Sequence, residues 1–596
     1  GLIPLGRGVA RSDGVCSFTF GECEISALGF SCCECPTDNA PAPLAVVVPH
    51  SQFSLAFGSA FSLDDLTQRM PGYFNFADWL VIIVYLAGVI ALGVWFGQDQ
   101  NNTRDYFLGS RNIPWWGIGA SIVATETSAL TIIGVPAIAY GGNILFIQMI
   151  VGYVVARIVL AVVMVPHYMK GEIYSPYQLL EQHLGRGPRR LGGAFFLLVE
   201  TMSAGVRVYV ACIPIRLMLG ETVCSLGGLV DPIFGAILLF VVLSSVYTYI
   251  GGMKAVVWTD AVQLVLFVAG GIYALCYIPT LIDGGWSAAM AKATEAGKLV
   301  WLNTDFTFSA PFNLWMGVIG GTVMVMSTHG ADQIIVQRVL AARDVSEGRK
   351  ALVFSAVLIF PLFLIFLLVG VMLWVFYQSH PMQIPLPERR PGIGANDFIF
   401  PIFMITEVPP VMRGFLIVAI LSAAMSSISS AISALASVST MDFLKPILRG
   451  RDDRFFLRLS KHSTLFWSAA LIGVAWLSRE VEFVLNAAFS LRGLTSGALL
   501  AALIIAIFWR SIGPRAAMGG MIAAVLVMNS LYWPPKIPAL TPWWNATFGG
   551  EVFWPWFTLI GVIVTLGVAW LIKVVTPELR PREGNLTEHP YSKERK

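Results

Sequence analysis

Hydroxyl side chains are concentrated in one apolar segment, residues 421–439, which contains eight serines. If this segment is a helix, Ser426 and Ser430 share one face, and Ser427 lies about 100° around the axis from Ser426. Serines in an apolar helix have two common uses. They supply oxygen ligands to a hard cation such as sodium, or they are small residues that let neighbouring helices pack closely.

Ionisable residues interrupt other apolar segments, where an uncompensated charge is costly and therefore indicates a functional role. The guanidinium of Arg207 could bind a carboxylate through two parallel hydrogen bonds. Glu200, seven residues earlier on the same helical face, offers the alternative of a structural ion pair. His329 could relay a proton or be a packed, hydrogen-bonded side chain. We interpret Arg157 and Arg492 as structural or interfacial.

The composition indicates a membrane protein. Of 596 residues, 56% are hydrophobic and 13% are charged, too few charges to cover a soluble protein of this size. Apolar runs of about 20 residues recur, and each can cross a hydrocarbon core of about 30 Å. We predict an all-α membrane protein with about 13 transmembrane helices. The predicted spans are 78–97, 113–140, 144–167, 190–219, 232–250, 256–280, 314–340, 351–377, 410–440, 463–479, 484–508, 515–533 and 553–574.

Loop charges predict the orientation in the membrane. Positive residues are concentrated in loops 170–190, 338–350, 444–461 and 509–515, which the positive-inside rule places in the cytoplasm. An odd number of spans then puts the N-terminus outside and the C-terminus inside a plasma or inner membrane. The N-terminal segment is rich in cysteine, proline and glycine, and we predict a poorly ordered tail, with a small disulfide or metal knot as the alternative. Its cysteines are Cys16, Cys23, Cys32, Cys33 and Cys35.

Two predicted spans have polar interruptions in their middle. Span 113–140 contains Thr125-Glu126-Thr127-Ser128, and span 314–340, five spans later, contains Ser327-Thr328-His329. Broken helices at matching positions of two halves are typical of an inverted-repeat transporter with its binding site near the membrane midplane. The predicted organisation is an N-terminal tail (1–76), an extra helix (77–98), two repeats (113–280 and 314–508), two C-terminal helices (515–574) and a cytoplasmic tail (575–596).

Four stretches resemble the sodium:solute symporter family. They are YTYIGGMKAVVWTDAVQ (247–263), which carries the Gly-Gly-Met-Lys-Ala form of the family signature, DYFLGSRNIPWWGIGAS (105–121), QIIVQRVLAARDVSEGRKA (333–351) and SSISSAISALASVSTMD (426–442). The resemblance implies a LeuT-type fold with a 5+5 inverted repeat, one extra N-terminal and two extra C-terminal helices. It also implies sodium-driven uptake of a small organic solute.

The same resemblance implies where sodium binds. In the family, carbonyl groups of the first broken helix and carbonyl and hydroxyl groups of the serine-rich helix hold the first sodium. The matching residues are Ala124, Thr127, Ala423, Ser426 and Ser427. Some members bind a second sodium, and the residues that match it are Asp260, Ser429 and Ser430. Asp260 could instead cap a helix that starts at Ala261. The remaining serines of the segment are read as packing residues.

The resemblance places the solute beside the first broken helix. The candidate solute contacts are Glu126, Ser128, Thr131, Gln148, Arg207, Thr328 and His329. The positions that match sugar contacts in relatives hold Val325 and Ile359, so the sugar pattern is largely missing. Relatives that transport sialic acid resemble this sequence in having an arginine on the same helix as Arg207. Glu126 could repel an anion or pair with Arg207.

We therefore predict a sodium-coupled symporter that imports a sugar, a sugar acid or another carboxylate. The predicted partners are the solute, the co-transported Na+ and the lipid bilayer, with no organic cofactor and no nucleic acid. No glycine-rich nucleotide loop or nucleophile elbow is found in the sequence, which argues against an enzyme. The alternatives are a transport-inactive sensor or leak channel on the same fold, and proton coupling through Glu126, Asp260 or His329.

Overall fold

In the computed structural model, all regular secondary structure of the described residues is helical, as predicted. The described residues are 74–97, 100–171, 173–308, 312–386, 395–478, 482–537, 539–548, 550 and 552–576. The N-terminal cysteines and nearly all of the C-terminal tail therefore lie outside the described residues. The α-helices are α1 (Phe76–Phe96), α2 (Thr103–Leu108), α3 (Trp115–Glu126), α4 (Ala129–Gly141), α5 (Ile147–Val163), α6 (Val165–Tyr168), α7 (Pro176–Leu184), α8 (Arg186–Leu219), α9 (Glu221–Cys224), α10 (Pro232–Tyr277), α11 (Gly285–Glu295), α12 (Thr322–Gly330), α13 (Gln333–Leu340), α14 (Val345–Tyr377), α15 (Ile399–Thr406), α16 (Met412–Val438), α17 (Lys445–Ile447), α18 (Asp453–Leu477), α19 (Glu482–Phe508), α20 (Pro514–Tyr532), α21 (Thr541–Phe548) and α22 (Pro555–Val575).

Several of these helices are long and apolar enough to cross a membrane. Among the described residues, seven helices meet that description, and the bent pair α3 and α4 makes an eighth span. One of the seven, the kinked helix α10, contains most of two predicted spans, 232–250 and 256–280. The thirteen-span count and the inverted repeat stay predictions.

The serine-rich helix α16 lies at the centre of the bundle. In its most apolar window 89% of residues are buried, compared with 17% for the peripheral helix α1. The alternation of alanine and serine in α16 explains its position, because small side chains let neighbouring helices approach on all sides. Its N-terminus is fixed to α1, where Asp78 Oδ1 accepts hydrogen bonds from the N–H groups of Val411 (2.9 Å) and Gly414 (3.1 Å).

The first polar interruption is a break between α3 and α4, which are bent by 62°. Thr127 has ψ 93° and Ser128 has ψ 170°, so two residues of extended backbone separate the helices. The N–H of Ser128 donates to Thr131 Oγ1 at 3.3 Å. The N–H of Thr127 binds the carbonyl of Val123 at 2.9 Å, but the last three carbonyl groups of α3, those of residues 124–126, have no partner N–H four residues ahead. They are available to a cation.

A second break, between α12 and α13, lies just after the predicted interruption Ser327-Thr328-His329. Asp332 has extended backbone (φ −91°, ψ 130°), and its carboxylate accepts a hydrogen bond from the N–H of Ile334 at 2.9 Å, which caps α13. The preceding segment Met316–Gly321 is a π-helix that continues into α12. The first predicted interruption is therefore a real break. The second is not: Ser327, Thr328 and His329 are helical, and the helix ends just after them.

Helix α10 bends at Gly252, inside the glycine pair of the family signature. Gly252 has φ 54° and ψ −152°, which residues other than glycine rarely adopt. A Cβ atom there would lie 2.6 Å from the backbone oxygen of Tyr106. The glycine thus permits both the bend and the approach of α2.

We expect Gly252→Ala to lower the free energy of unfolding by about 1–3 kcal/mol, because alanine strains this backbone conformation. The control is Gly88→Ala in α1, where a Cβ atom meets nothing within 4 Å. Thermal denaturation of the purified variants measures both effects. Equal midpoints for the two variants would contradict the prediction.

Candidate functional site

The two helix breaks and α16 border one cavity of about 700 Å³. Its walls come from eight parts of the fold: α3, α5, α8, the α12–α13 region, α16, α19, and the end of α20 with the start of α22. The polar residues that line it are Thr125, Glu126, Tyr153, Arg207, Thr328, His329, Ser427, Ser430, Arg492, Ser496, Tyr532 and Thr558. Four of the seven predicted solute contacts are among them.

The residues predicted for the first sodium lie at the α3–α4 break and on the facing part of α16. The hydroxyl of Thr127 is buried and has no hydrogen-bond partner among the described residues. The hydroxyl of Ser427 donates to the carbonyl of Ala423 at 3.2 Å. Ser427 and Ser128 also line one small cavity together, so α16 adjoins the break there. An unpartnered buried oxygen beside free helix-end carbonyls is an arrangement that fits a cation such as Na+.

The residues predicted for the second sodium (Asp260, Ser429 and Ser430) form a hydrogen-bonded cluster around Ser426, which was predicted for the first sodium. Ser426 Oγ donates to Asp260 Oδ1 at 2.6 Å, and Ser121 Oγ donates to Asp260 Oδ2 at 2.6 Å. The hydroxyls of Ser429 and Ser430 donate to the carbonyl of Ser426. Asp260 lies inside α10, eight residues beyond the bend, so the alternative that it caps a helix is wrong.

A guanidinium, missed in the sequence, completes this cluster. Arg338 Nη2 donates to Asp260 Oδ2 at 2.9 Å and to Ser430 Oγ at 2.6 Å. Arg338 is fully buried on α13, so its assignment to a positively charged cytoplasmic loop is wrong. The sequence could have indicated this position. Arg338 follows Ile334 by four residues in the run QIIVQRVL, a spacing typical of a helix rather than a loop.

Other serines of α16 bind α13 rather than a cation. Gln333 Nε2 donates to Ser437 Oγ at 3.2 Å, and Gln337 Nε2 donates to Ser433 Oγ at 3.3 Å. Arg338 also donates to Ser430. Three polar residues of α13 therefore bind three serines of α16, and the two helices run antiparallel along this contact. The serine-rich sequence therefore has two roles, one beside the helix break and one in packing.

Glu126 pairs with Arg157 rather than with Arg207. Arg157 is fully buried and its Nη2 donates to Glu126 Oε2 in an ion pair, while Arg157 Nη2 lies 3.1 Å from His329 Nε2. His329 Nδ1 is 3.0 Å from Thr328 Oγ1. These contacts make His329 a hydrogen-bonded residue of the cavity wall and show that Arg157 is not interfacial.

Arg207 forms an ion pair with Glu200 on the same helix, which was the structural alternative named from the sequence. Its side chain still lines the cavity and is 18% exposed, whereas that of Glu200 is 2% exposed. Arg492 pairs with Asp332 across the second helix break and lines the same cavity, so it is not interfacial. Sequence reasoning missed this role because nothing in the sequence relates α19 to the α12–α13 break.

The other three solute candidates do not line the large cavity. Ser128 lines the adjacent small cavity, and Thr131 is its hydrogen-bonding partner at the start of α4. Gln148 is buried among backbone groups: its Nε2 donates to the carbonyl of Phe312 at 3.1 Å and its Oε1 accepts from the N–H of Asn303. Gln148 therefore fixes the loop before α12.

The chain is similar to known sodium-coupled transporters. The sequence profile of the sodium:solute symporter family matches residues 106–524. The sodium/sialic acid symporter SiaT of Proteus mirabilis is 28% identical over 481 residues, covering 76% of this chain and 89% of the relative. The human sodium-coupled monocarboxylate transporter 1 is 26% identical over 470 residues, 77% of this chain and 74% of the relative.

A solved structure shares the fold. It is a substrate-bound outward-open state of a Na+-coupled sialic acid symporter, which matches with a TM-score of 0.73 and 24% identity over 84% of this chain and 98% of that one. The shared fold is of the LeuT type. The chain belongs to the sodium:solute symporter family, whose members are transporters rather than enzymes.

Proposed function

We propose that this protein imports a small polar organic solute, a sugar, sugar acid or other carboxylate, together with Na+. The observation that carries the proposal is the unpartnered, buried hydroxyl of Thr127 at the α3–α4 break. On one side of it Glu126 lines the large cavity, and on the other Ser128 lines a small cavity with Ser427 of α16. Named relatives transport sialic acid and monocarboxylates. Both kinds of solute carry a carboxylate, and this cavity offers guanidinium groups.

The proposed cycle couples the two ligands through the first broken helix. Na+ binds first at carbonyl and hydroxyl oxygens of the break and of α16, which joins these helices and stabilises the state that receives solute. The solute then binds in the cavity, the outer side closes, and rocking of the predicted repeats releases both ligands inside. The membrane potential contributes about 2.3 kcal/mol per charge per 100 mV. We propose the predicted orientation, with the C-terminus in the cytoplasm.

Uptake by proteoliposomes that contain the full chain tests this proposal. With an inward sodium gradient, we expect one of N-acetylneuraminate, gluconate, butyrate or glucose to accumulate at least about ten-fold faster than with potassium. Uptake that ignores sodium but follows a pH gradient would favour proton coupling. Equilibration without accumulation in either salt would favour a leak channel.

A further inference from the structure

The cavity has two chemically different walls beyond the sodium region. One contains the guanidinium groups of Arg207 on α8 and Arg492 on α19, which we call the arginine pair. The other, which we call the aromatic wall, consists of Tyr532 at the end of α20, Phe553 just before α22 and Phe557 in the first turn of α22. No residue in the described lining has an amide side chain, the group best suited to several sugar hydroxyls.

The arginine pair has unused capacity for an anion. The carboxylates of Glu200 and Asp332 do not line the large cavity but border a smaller one with Arg492. Arg492 binds Asp332 through Nη2, yet its side chain stays 27% exposed and lines the large cavity. A carboxylate is the acceptor that such a guanidinium fork fits best.

The charges around the cavity balance before any ligand binds. Four carboxylates, those of Glu126, Glu200, Asp260 and Asp332, each form an ion pair with one arginine in the described structure. The first sodium region adds only neutral oxygens. One Na+ therefore brings one uncompensated positive charge into a buried site, and one monoanion restores neutrality.

The aromatic wall indicates the body of the solute. The rings of Tyr532 and Phe557 are 6.3 Å apart and nearly perpendicular (88°), and Phe553 packs edge-on against Phe312 at 5.7 Å. Such packing fixes the rings and leaves an apolar surface on which a flat ring can lie. A cavity of about 700 Å³ is far larger than a carboxylate alone requires.

We propose that the solute is a monoanion with one carboxylate and an aromatic or similarly flat apolar body, and that Arg492 binds the carboxylate together with Arg207. This inference rests on the proposed sodium symport and names its substrate class. Arg492 then determines specificity for the anion, and the aromatic wall determines specificity for the body.

Equilibrium binding to the purified full chain, measured in sodium and in potassium, tests the proposal with matched probes. Phenylacetate should bind in sodium about ten-fold or more tightly than acetate, which lacks the ring, phenylacetamide, which lacks the charge, and phenylmalonate, which carries a second carboxylate. Equal affinity for phenylacetate and any of these three probes would overturn the corresponding part of the proposal. Sodium-dependent binding of gluconate with none of phenylacetate would overturn the inference and leave the symport standing, whereas sodium-independent binding of every acid would overturn the symport.

Variants separate recognition from structure. Arg492→Gln leaves Asp332 without its partner and could destabilise the fold, so the informative variant is Asp332→Asn with Arg492→Gln, which removes both charges. It should weaken phenylacetate binding about ten-fold or more and leave stabilisation by Na+ unchanged. Phe557→Leu should weaken phenylacetate but not acetate, and Phe466→Leu, at a 64% exposed position on α18, should change neither. Wild-type affinity of the double variant for phenylacetate would show that Arg492 is purely structural and would overturn the proposal.

Discussion

Arg338→Ala is expected to lower the free energy of unfolding by about 3–5 kcal/mol, the largest loss from any single side chain considered for this protein. The reason is that the variant leaves the buried carboxylate of Asp260 without a positively charged partner. Asp260 has 0% exposed side-chain surface and Arg338 has 1%, so water cannot replace the guanidinium. Ser121 and Ser426 would still donate to Asp260, but two hydroxyl groups do not neutralise its charge.

The matched control is Asp260→Asn with Arg338→Gln, which removes both charges and keeps polar side chains at both positions. Because no charge is stranded, this variant should be clearly more stable than Arg338→Ala in thermal denaturation. Sodium should also stabilise Arg338→Ala more steeply than it stabilises the double variant, since Na+ can enter beside Asp260, Ser426 and the space left by the arginine. Equal stability of the two variants, with no difference in their sodium response, would show that the pair does not determine stability.

This experiment also bears on the predicted second sodium. In the structure the guanidinium occupies Asp260 and Ser430, two of its three predicted ligands. A second Na+ in the native protein would have to displace Arg338 from the carboxylate or share it. Suppose that one binding site accounts for the stabilisation of the native protein by sodium, and that Arg338→Ala requires two. The arginine would then take the place of the second ion.

The fold was largely predictable because its signals are local. The polar run Thr125–Ser128 interrupts an apolar span, and a helix that must satisfy hydroxyl and carboxylate groups inside a membrane breaks there. The resemblance grouped Asp260 with Ser429 and Ser430, but the α16 hydroxyl that donates to Asp260 is that of Ser426, which it had assigned to the first sodium. Gly252 was part of a quoted motif, and its positive φ gives that motif a physical reason.

The partners of the buried charges were not predictable in the same way. Glu126 could have paired with Arg207, and only the packing of α5 against the break brings Arg157 to it instead. Arg492 and Asp332 are 160 residues apart in the sequence, so their ion pair reflects tertiary structure alone. The aromatic wall was missed because α20 and α22 lie outside the predicted repeats.

The second large effect concerns sodium. Thr127→Val should abolish most of the thermal stabilisation that Na+ gives, raising the sodium concentration for half of the effect by about 10- to 150-fold. That range follows from losing one hydrogen-bonding or ligand group to a charge, about 1.5–3 kcal/mol. Valine has nearly the shape of threonine, so packing in this fully buried position is preserved. Ser427→Ala should have an effect of the same direction and similar size.

The sign of the effect without sodium distinguishes a ligand from a packing residue. The hydroxyl of Thr127 has no partner among the described residues, so in potassium it contributes a desolvation penalty and no bond. In potassium, Thr127→Val should therefore be at least as thermally stable as the wild type. It should become less stable than the wild type only as sodium is added. Ser422→Ala is the control on α16, because Ser422 donates to Ala419 in its own helix at 2.8 Å and should leave the sodium response unchanged. If Thr127→Val loses stability equally in both salts, the hydroxyl is a packing group and the sodium site must be sought elsewhere.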